Sequence, residues 1–565
     1  MLKKAPLARL KSKPRLMLAA LCISALAGCA GPPALTRTEA PEPAQPLYAG
    51  MGMHRYPVST RIPGAQRYFD QGLILAYGFN HQEAARAFRE AYRLDPECAM
   101  CYWGEALVLG PNINAPMTPA DVQIAYRSLQ KAQALAKSAT AKEQALISAL
   151  AQRYSENAAA DRKPLDEAYA KAMRRVAARF PDDADIAALF AEALMDLHPW
   201  NFWTGQGKAQ PWTPEIVATL ERALTIDADN PLANHLYIHA LEASPEAAKA
   251  LPSARRLPSL VPGSGHLVHM PAHIYIRIGH YRDAILANQQ AVKVDKDYLS
   301  HAHPVEGIYT LAYVPHNYHF LWSAAIKTGQ KRLATQAAAD TSAHVSQDML
   351  REPALTGTLQ HFLSIPLYTK ALFGDWDAII DEPAPPSDLL YLSAVWHYAR
   401  GMAFLRKDNV KAAQQELAHL AQILDNPAIA TMTLSEMNPV TKILGIASEM
   451  LQGEIAAQRK DYVNAIAHLQ RAVEIEDGLN YIEPKEWYLP PRQVLGAVLL
   501  EAGKAPEAEE AYRQDLRHHP QNGWSLYGLV LSLFEQGKVK EAESVKKQFA
   551  GVWSDADVTL TGSRF

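Results

Sequence analysis

The residues best suited to chemistry in this sequence are histidines, and they are gathered rather than spread. In Asn234-His235-Leu236-Tyr237-Ile238-His239-Ala240-Leu241-Glu242, the positions His235, His239 and Glu242 fall at i, i+4 and i+7, one face of a helix. His266, His269 and His273 fall at i, i+3 and i+7 and form a second face, provided Pro271 does not break the helix. His316 and His319 make a further pair at i and i+3, and Asp196 and His198 precede a tryptophan-rich segment. Two imidazoles one turn apart can reach one divalent ion, and a neighbouring helix can add the third or fourth donor that zinc or copper requires. On that reading His235, His239, His266, His269 and His273 are ligands, with His198, His316 and His319 as further candidates. Glu242 then orients a ligand or acts as a base. The alternative is a polar groove in which His, Tyr and Asn hydrogen-bond one another, with or without an organic or peptide ligand.

Around the histidines stand two other groups of interest. Trp200, Trp203 and Trp212 lie in a Gly- and Pro-bearing segment, where indole rings are costly to expose, so this segment either packs on the site or lids it. Cys98 and Cys101 follow Pro96 at the start of a helix, a spacing that suits a local disulfide or a redox pair, or a soft copper site with Met100. A second thiol pair is missing, which rules out an all-cysteine zinc site, and Tyr102 in place of histidine rules out covalent haem attachment. Nucleophile elbow, Gly-rich phosphate loop and H-E-x-x-H are all absent, so the well-marked hydrolase and nucleotide classes have no local support and no reaction is assigned.

What must position these groups is a repeated pair of helices. Gly72, Ala84, Phe88, Ala91 and Pro96 stand at the small, aromatic, small and helix-ending offsets of a tetratricopeptide repeat. The same small-to-small step recurs from Ala272 to Ala284, Gly401 to Ala413, Gly453 to Ala465 and Gly496 to Ala508, and Ala508 to Ala542 spans one 34-residue repeat. Small residues are needed where two antiparallel helices cross closely. One such pair cannot bury its apolar face alone, so the expected fold is all-α, a TPR-like helix-pair solenoid forming a right-handed superhelix with degenerate middle repeats near 118–195 and 320–395.

The N-terminus reads as a targeting segment. Lys3, Lys4, Arg9, Lys11, Lys13 and Arg15 precede the apolar run LMLAALCISALAG, which is too short to span a bilayer as a helix. Leu26-Ala27-Gly28-Cys29 resembles a bacterial lipobox, and the resemblance implies cleavage before Cys29 and acylation of its thiol. The net charge of −3 becomes more acidic once those cations are removed, and no basic run follows, so nucleic acid is not an expected partner. The expected organisation is a signal peptide over 1–28 and a Pro-rich tether over 29–60. A helical region with the His/Trp-rich groove then covers 61–400, followed by C-terminal repeats over 401–555 and a tail over 556–565.

The phrases HLYIHA, GHLVHMPAHIY and PHNYHFL, with DLHPWNFW, CAMCYWGEA and EPKEWYLPPR, resemble a family of bacterial tetratricopeptide-repeat lipoproteins over nearly the whole mature chain. The resemblance implies the solenoid and supplies no reaction. The first functional expectation is therefore an interaction scaffold that holds an envelope protein or peptide, anchored by lipid to the outer membrane and facing the periplasm. The second is a metal-binding protein or metalloenzyme built on the histidine cluster.

Overall fold

The computed structural model describes residues 45–157, 159–301 and 307–565. The export signal, Cys29 and the first part of the Pro-rich stretch lie outside the described residues. Among the described residues the fold is helical from end to end, apart from one hairpin of two-residue strands, Thr433–Leu434 with Asn438–Pro439. None of these helices is long and apolar enough to cross a membrane.

The chain is a stack of antiparallel helix pairs. Pro63–Tyr77 pairs with His81–Leu94, Val440–Gln458 with Tyr462–Asp477, and Pro491–Glu501 with Ala505–His518. The small residues sit where the repeat pattern requires them: a Cβ on Gly72 would lie 2.8 Å from the Phe88 ring, and one on Gly496 would lie 2.6 Å from Tyr512. The stretches whose repeats were degenerate in sequence are helical too, as Pro119–Leu135, Ala141–Leu150, Arg162–Arg179 and Ala184–Met195, and again from Val314–Lys327 to Leu390–Arg406.

Two large apolar cores run through the stack, one holding Phe79, Leu236 and Ile238, the other holding Phe320, Tyr368 and Trp487. The histidine-bearing helices Pro231–Glu242, Gly265–His269, Pro271–Arg277 and Val314–Lys327 lie where these cores meet. Asn230 caps the first of them by accepting from the Ala233 N–H at 2.8 Å, and Pro231 occupies its first turn, where a missing N–H has no cost.

One boundary is corrected. Residues 45–60, assigned to the tether, are held on the body: Gln45 donates to Glu83 at 2.8 Å, the Tyr48 N–H donates to Gln71 at 2.7 Å, and Ser59 bonds Glu143. Proline content marked an extended chain, but extended backbone still has free N–H and C=O groups, and buried side chains take them up. The segment 556–565 is likewise docked, with Ser563 buried and bonded to Tyr512 at 2.6 Å.

Candidate metal centre

The helix faces read from sequence converge, but they sort differently from the order along the chain. His235, His239 and His266 form one triad, and His269, His273 and His316 form a second, with the donor atoms of each triad within 4.8 Å of one another. His266 and His269 therefore belong to different triads although they are one turn apart. Met270 keeps helical backbone angles (φ −48°, ψ −36°) between the two short helices, so Pro271 divides the hydrogen-bond ladder without turning the chain. The triads adjoin, with the His239 and His273 rings 5.6 Å apart and those of His266 and His269 6.0 Å apart.

Outer hydrogen bonds fix which nitrogen faces inward on His235, His239, His269 and His273. His235 Nδ1 contacts the Tyr77 carbonyl at 2.6 Å, and a carbonyl only accepts, so Nδ1 carries the proton and Nε2 presents a lone pair. His239 Nδ1 donates to Glu242 Oε1 at 2.7 Å, which leaves its Nε2 lone pair inward as well. These two Nε2 atoms are 3.1 Å apart, and His266 Nε2 is 3.1 Å from His235 Nε2. Two lone pairs at that distance repel unless a proton or a cation stands between them. Burial and the neighbouring imidazoles hold the His235 and His266 pKa values well below the ordinary histidine value, and burial lowers His239 despite Glu242, so protons are disfavoured there.

The second triad repeats the arrangement. Asn288 donates its amide to the Ala284 carbonyl at 2.8 Å, which turns Oδ1 toward His269 Nδ1 at 2.7 Å. His273 Nδ1 donates to the other oxygen of Glu242, so a single carboxylate orients one ligand in each triad. His269 and His273 then oppose Nε2 to Nε2 at 3.0 Å. Burial works against a charge on His273, but the Glu242 carboxylate outweighs it and raises the pKa, so here a proton can take the place a cation would fill. Burial likewise pushes the Glu242 carboxyl up, and His273 and His239 together bring it down to about 2. An ion with bonds of about 2.1 Å at tetrahedral angles holds its donors roughly 3.4 Å apart, close to the 3.1 Å of His235 to His239 and to His266 and the 3.0 Å of His269 to His273.

Aromatic side chains wall off both triads. Phe79 lies 4.4 Å from the His235 ring and stacks on His239, Trp200 meets His239 edge-on at 5.2 Å, and Phe320 lies 4.6 Å from His269. Phe79 and Trp200 hold left-handed backbone, at φ 57° and 58°, conformations that cost on the order of 1–3 kcal/mol in non-glycine residues and persist where the surroundings impose them. Trp203 donates to the Ala240 carbonyl at 2.7 Å, so the tryptophan segment is fastened onto the helix that carries His235 and His239.

Not every candidate joins the centre. His198 stacks on Trp212 at 3.7 Å, and His319 packs beside His361 and Trp322; both lie outside the triads. Cys98 and Cys101 are buried and joined by a disulfide, and Met100 beside them is core. Conversely, Glu483 stands 3.8 Å from His273, and in the sequence it stood out only as part of the phrase EPKEWYLPPR. Asn288 and Phe79 carried no signal of function in their types, though the place of Phe79 in its repeat did.

A tetratricopeptide-repeat family model matches residues 494–545, so the chain carries at least one such repeat, and proteins built from these repeats generally offer surfaces to protein partners. No curated protein matches the sequence. Among solved structures, the human IFIT1 dimer with m7Gppp-AAAA is 14% identical, covering 88% of this chain and 92% of that one at a TM-score of 0.32. Cut9 in the APC/C hetero-tetramer Cut9–Hcn1 is 12% identical over 88% and 76% at 0.28, and the P58(IPK) TPR domain 12% over 86% and 98% at 0.22.

Proposed function

We propose that this repeat protein is a metal-binding protein holding two adjacent transition-metal ions, each on three imidazoles. The observation that carries the reading is the set of lone pairs turned toward one another, at His235 and His239 and at His269 and His273, by hydrogen bonds at the opposite nitrogens. All-imidazole ligation suits copper and zinc, and copper binds such a site more tightly in the order of divalent affinities. Three protein ligands leave a coordination position for water or a substrate, as in catalytic rather than structural sites. The ion would supply Lewis acidity or, for copper, electron transfer. The chain's own residues fix ring orientation through Glu242, Asn288 and the Tyr77 carbonyl, and exclude water with Phe79, Trp200 and Phe320.

Interaction with a protein partner is the second reading, favoured by the repeat over 494–545. The two are compatible, because that repeat lies away in sequence from the histidines. A lipid on Cys29 would hold the protein in the bacterial envelope, at the outer membrane on the periplasmic side.

Elemental analysis of the purified full chain after loading with copper or zinc tests the metal reading. The expected content is about two equivalents of ion, one per triad, dropping sharply in a His235→Ala, His269→Ala double variant whose helical circular dichroism is unchanged. Less than about a tenth of an equivalent after reloading would sink it.

A further inference from the structure

A small cavity lies among the helices Pro63–Tyr77, His81–Leu94 and Ala184–Met195, with Tyr77, His81, Leu107, Arg153, Glu192 and Asp196 in its wall. The room inside is about 20 Å³, enough for a water-sized occupant. Glu192 and Asp196 fall at i and i+4 at the end of one helix, so both carboxylates reach the cavity from the same face. The Asp196 side chain is 3% exposed. Its Oδ2 takes Arg153 at 2.8 Å, but its Oδ1 is buried with no hydrogen-bond partner. The Glu192 carboxylate takes no hydrogen bond and no ion pair among the described residues.

The charges around the cavity do not cancel. Arg153 serves Asp196 and also Asp166, at 3.0 Å, and Arg162 adds to Asp166 at 2.7 Å. His81 brings no charge: the Asn112 amide donates to its Nδ1 at 2.9 Å, and burial lowers its pKa to about 4. Two guanidinium groups therefore meet three carboxylates, and one negative charge is left over. Burial pushes the Glu192 carboxyl up to about 8, and the Asp196 charge adds to it against the pull of Arg153. A buried acceptor without a donor is costly, and so is an uncompensated carboxylate. In so small a space one remedy serves both, a single positive charge with no organic body attached.

We propose that this cavity is a binding site for one alkali-metal cation, held by Asp196 Oδ1 and the Glu192 carboxylate. A divalent ion would turn the surplus negative charge into a surplus positive one beside a buried guanidinium. The site stands apart from the histidine centre in its chemistry, since hard cations take oxygen ligands and the triads offer nitrogen. Thermal unfolding of the full, metal-free chain in sodium chloride, against choline chloride at the same ionic strength, tests it at about pH 8.5, where a proton competes less for Glu192. Sodium at about 100 mM is expected to raise the unfolding midpoint by about 1–3 °C over choline, and the wild-type protein should broaden the sodium-23 resonance. In Glu192→Gln, which keeps the shape and removes the charge, the gap between the two salts should close and the broadening disappear, with circular dichroism unchanged. Equal wild-type midpoints in the two salts, no sodium-23 broadening by the wild type, or a gap that survives in Glu192→Gln would each overturn the proposal. A midpoint raised as far by calcium at about 1 mM as by sodium would overturn the assignment to a singly charged ion.

Discussion

Glu242 is the residue on which the proposed centre turns, because its two oxygens each take the outer N–H of a histidine in a different triad. A glutamine keeps the shape but offers one acceptor and one donor. Whichever ring meets the amide N–H must present a lone pair at Nδ1, which moves its proton to Nε2 and points an N–H into the triad. That ring can no longer ligate through Nε2. Glu242→Gln is therefore expected to weaken one ion by about 10–100-fold while the other stays, a drop read in a metal titration as one tight equivalent lost. Retention of both ions at unchanged affinity would show that Glu242 does not set the ring tautomers. From sequence the carboxylate was visible as a neighbour of His235 and His239 on one face. Its bond to His273 was not, since that contact depends on how two helix pairs pack.

At the scale of the helix pair, the repeats explain both what could be read and what could not. The turn between paired helices places a left-handed residue two positions before the second helix: Gly279, Gly329, Gly374, Asp408, Lys460, Gly503 and Gly537 all do so. Phe79 occupies the same position before His81–Leu94. A bulky aromatic residue where other repeats carry glycine or a polar residue is a departure visible in the sequence once the repeats are aligned, and it marks the ring that packs on the histidines. Asn288 and Glu483 broke no such pattern, so nothing local revealed them. The small positions follow close packing and give a prediction of opposite signs. A Cβ on Gly528 would lie 2.2 Å from Tyr512, whose hydroxyl is tied to Ser563 at 2.6 Å and cannot swing aside. Gly528→Ala is expected to cost about 1–3 kcal/mol in urea unfolding. Gly445, within Val440–Gln458, would place its Cβ 3.5 Å from Ile475, an ordinary contact. Gly445→Ala should stabilise by roughly 0.5–1 kcal/mol through helix propensity, and equal effects at the two sites would contradict the packing account.

For the described body as a whole, the last residues act as a clasp across separate repeats. Asp557 accepts from the Lys331 N–H at 2.6 Å, Arg406 donates to the Phe565 carbonyl at 3.0 Å, and Arg564 bridges Glu454 at 2.9 Å and Glu501 at 2.7 Å. Repeats far apart in sequence are thereby fixed against one another, in the same half of the molecule that brings Glu483 up to His273. Glu454 is 2% exposed. Burial pushes its pKa up, but Arg406 and Arg564 outweigh that and lower it below the ordinary glutamate value. A depressed folded pKa means stability that is present above the unfolded glutamate pKa, about 4.3, and lost as the pH falls through the folded value. Arg564→Ala leaves Arg406 in place and so weakens the pair without abolishing it. The expected loss is about 1.5–3 kcal/mol at neutral pH, measured by thermal or urea unfolding. It should shrink as the pH is taken below the ordinary glutamate range, where Glu454 in the variant is protonated and no longer asks for a partner. A loss of the same size at neutral and acid pH would mean that Arg564 contributes through packing against its neighbours and not through the charge on Glu454.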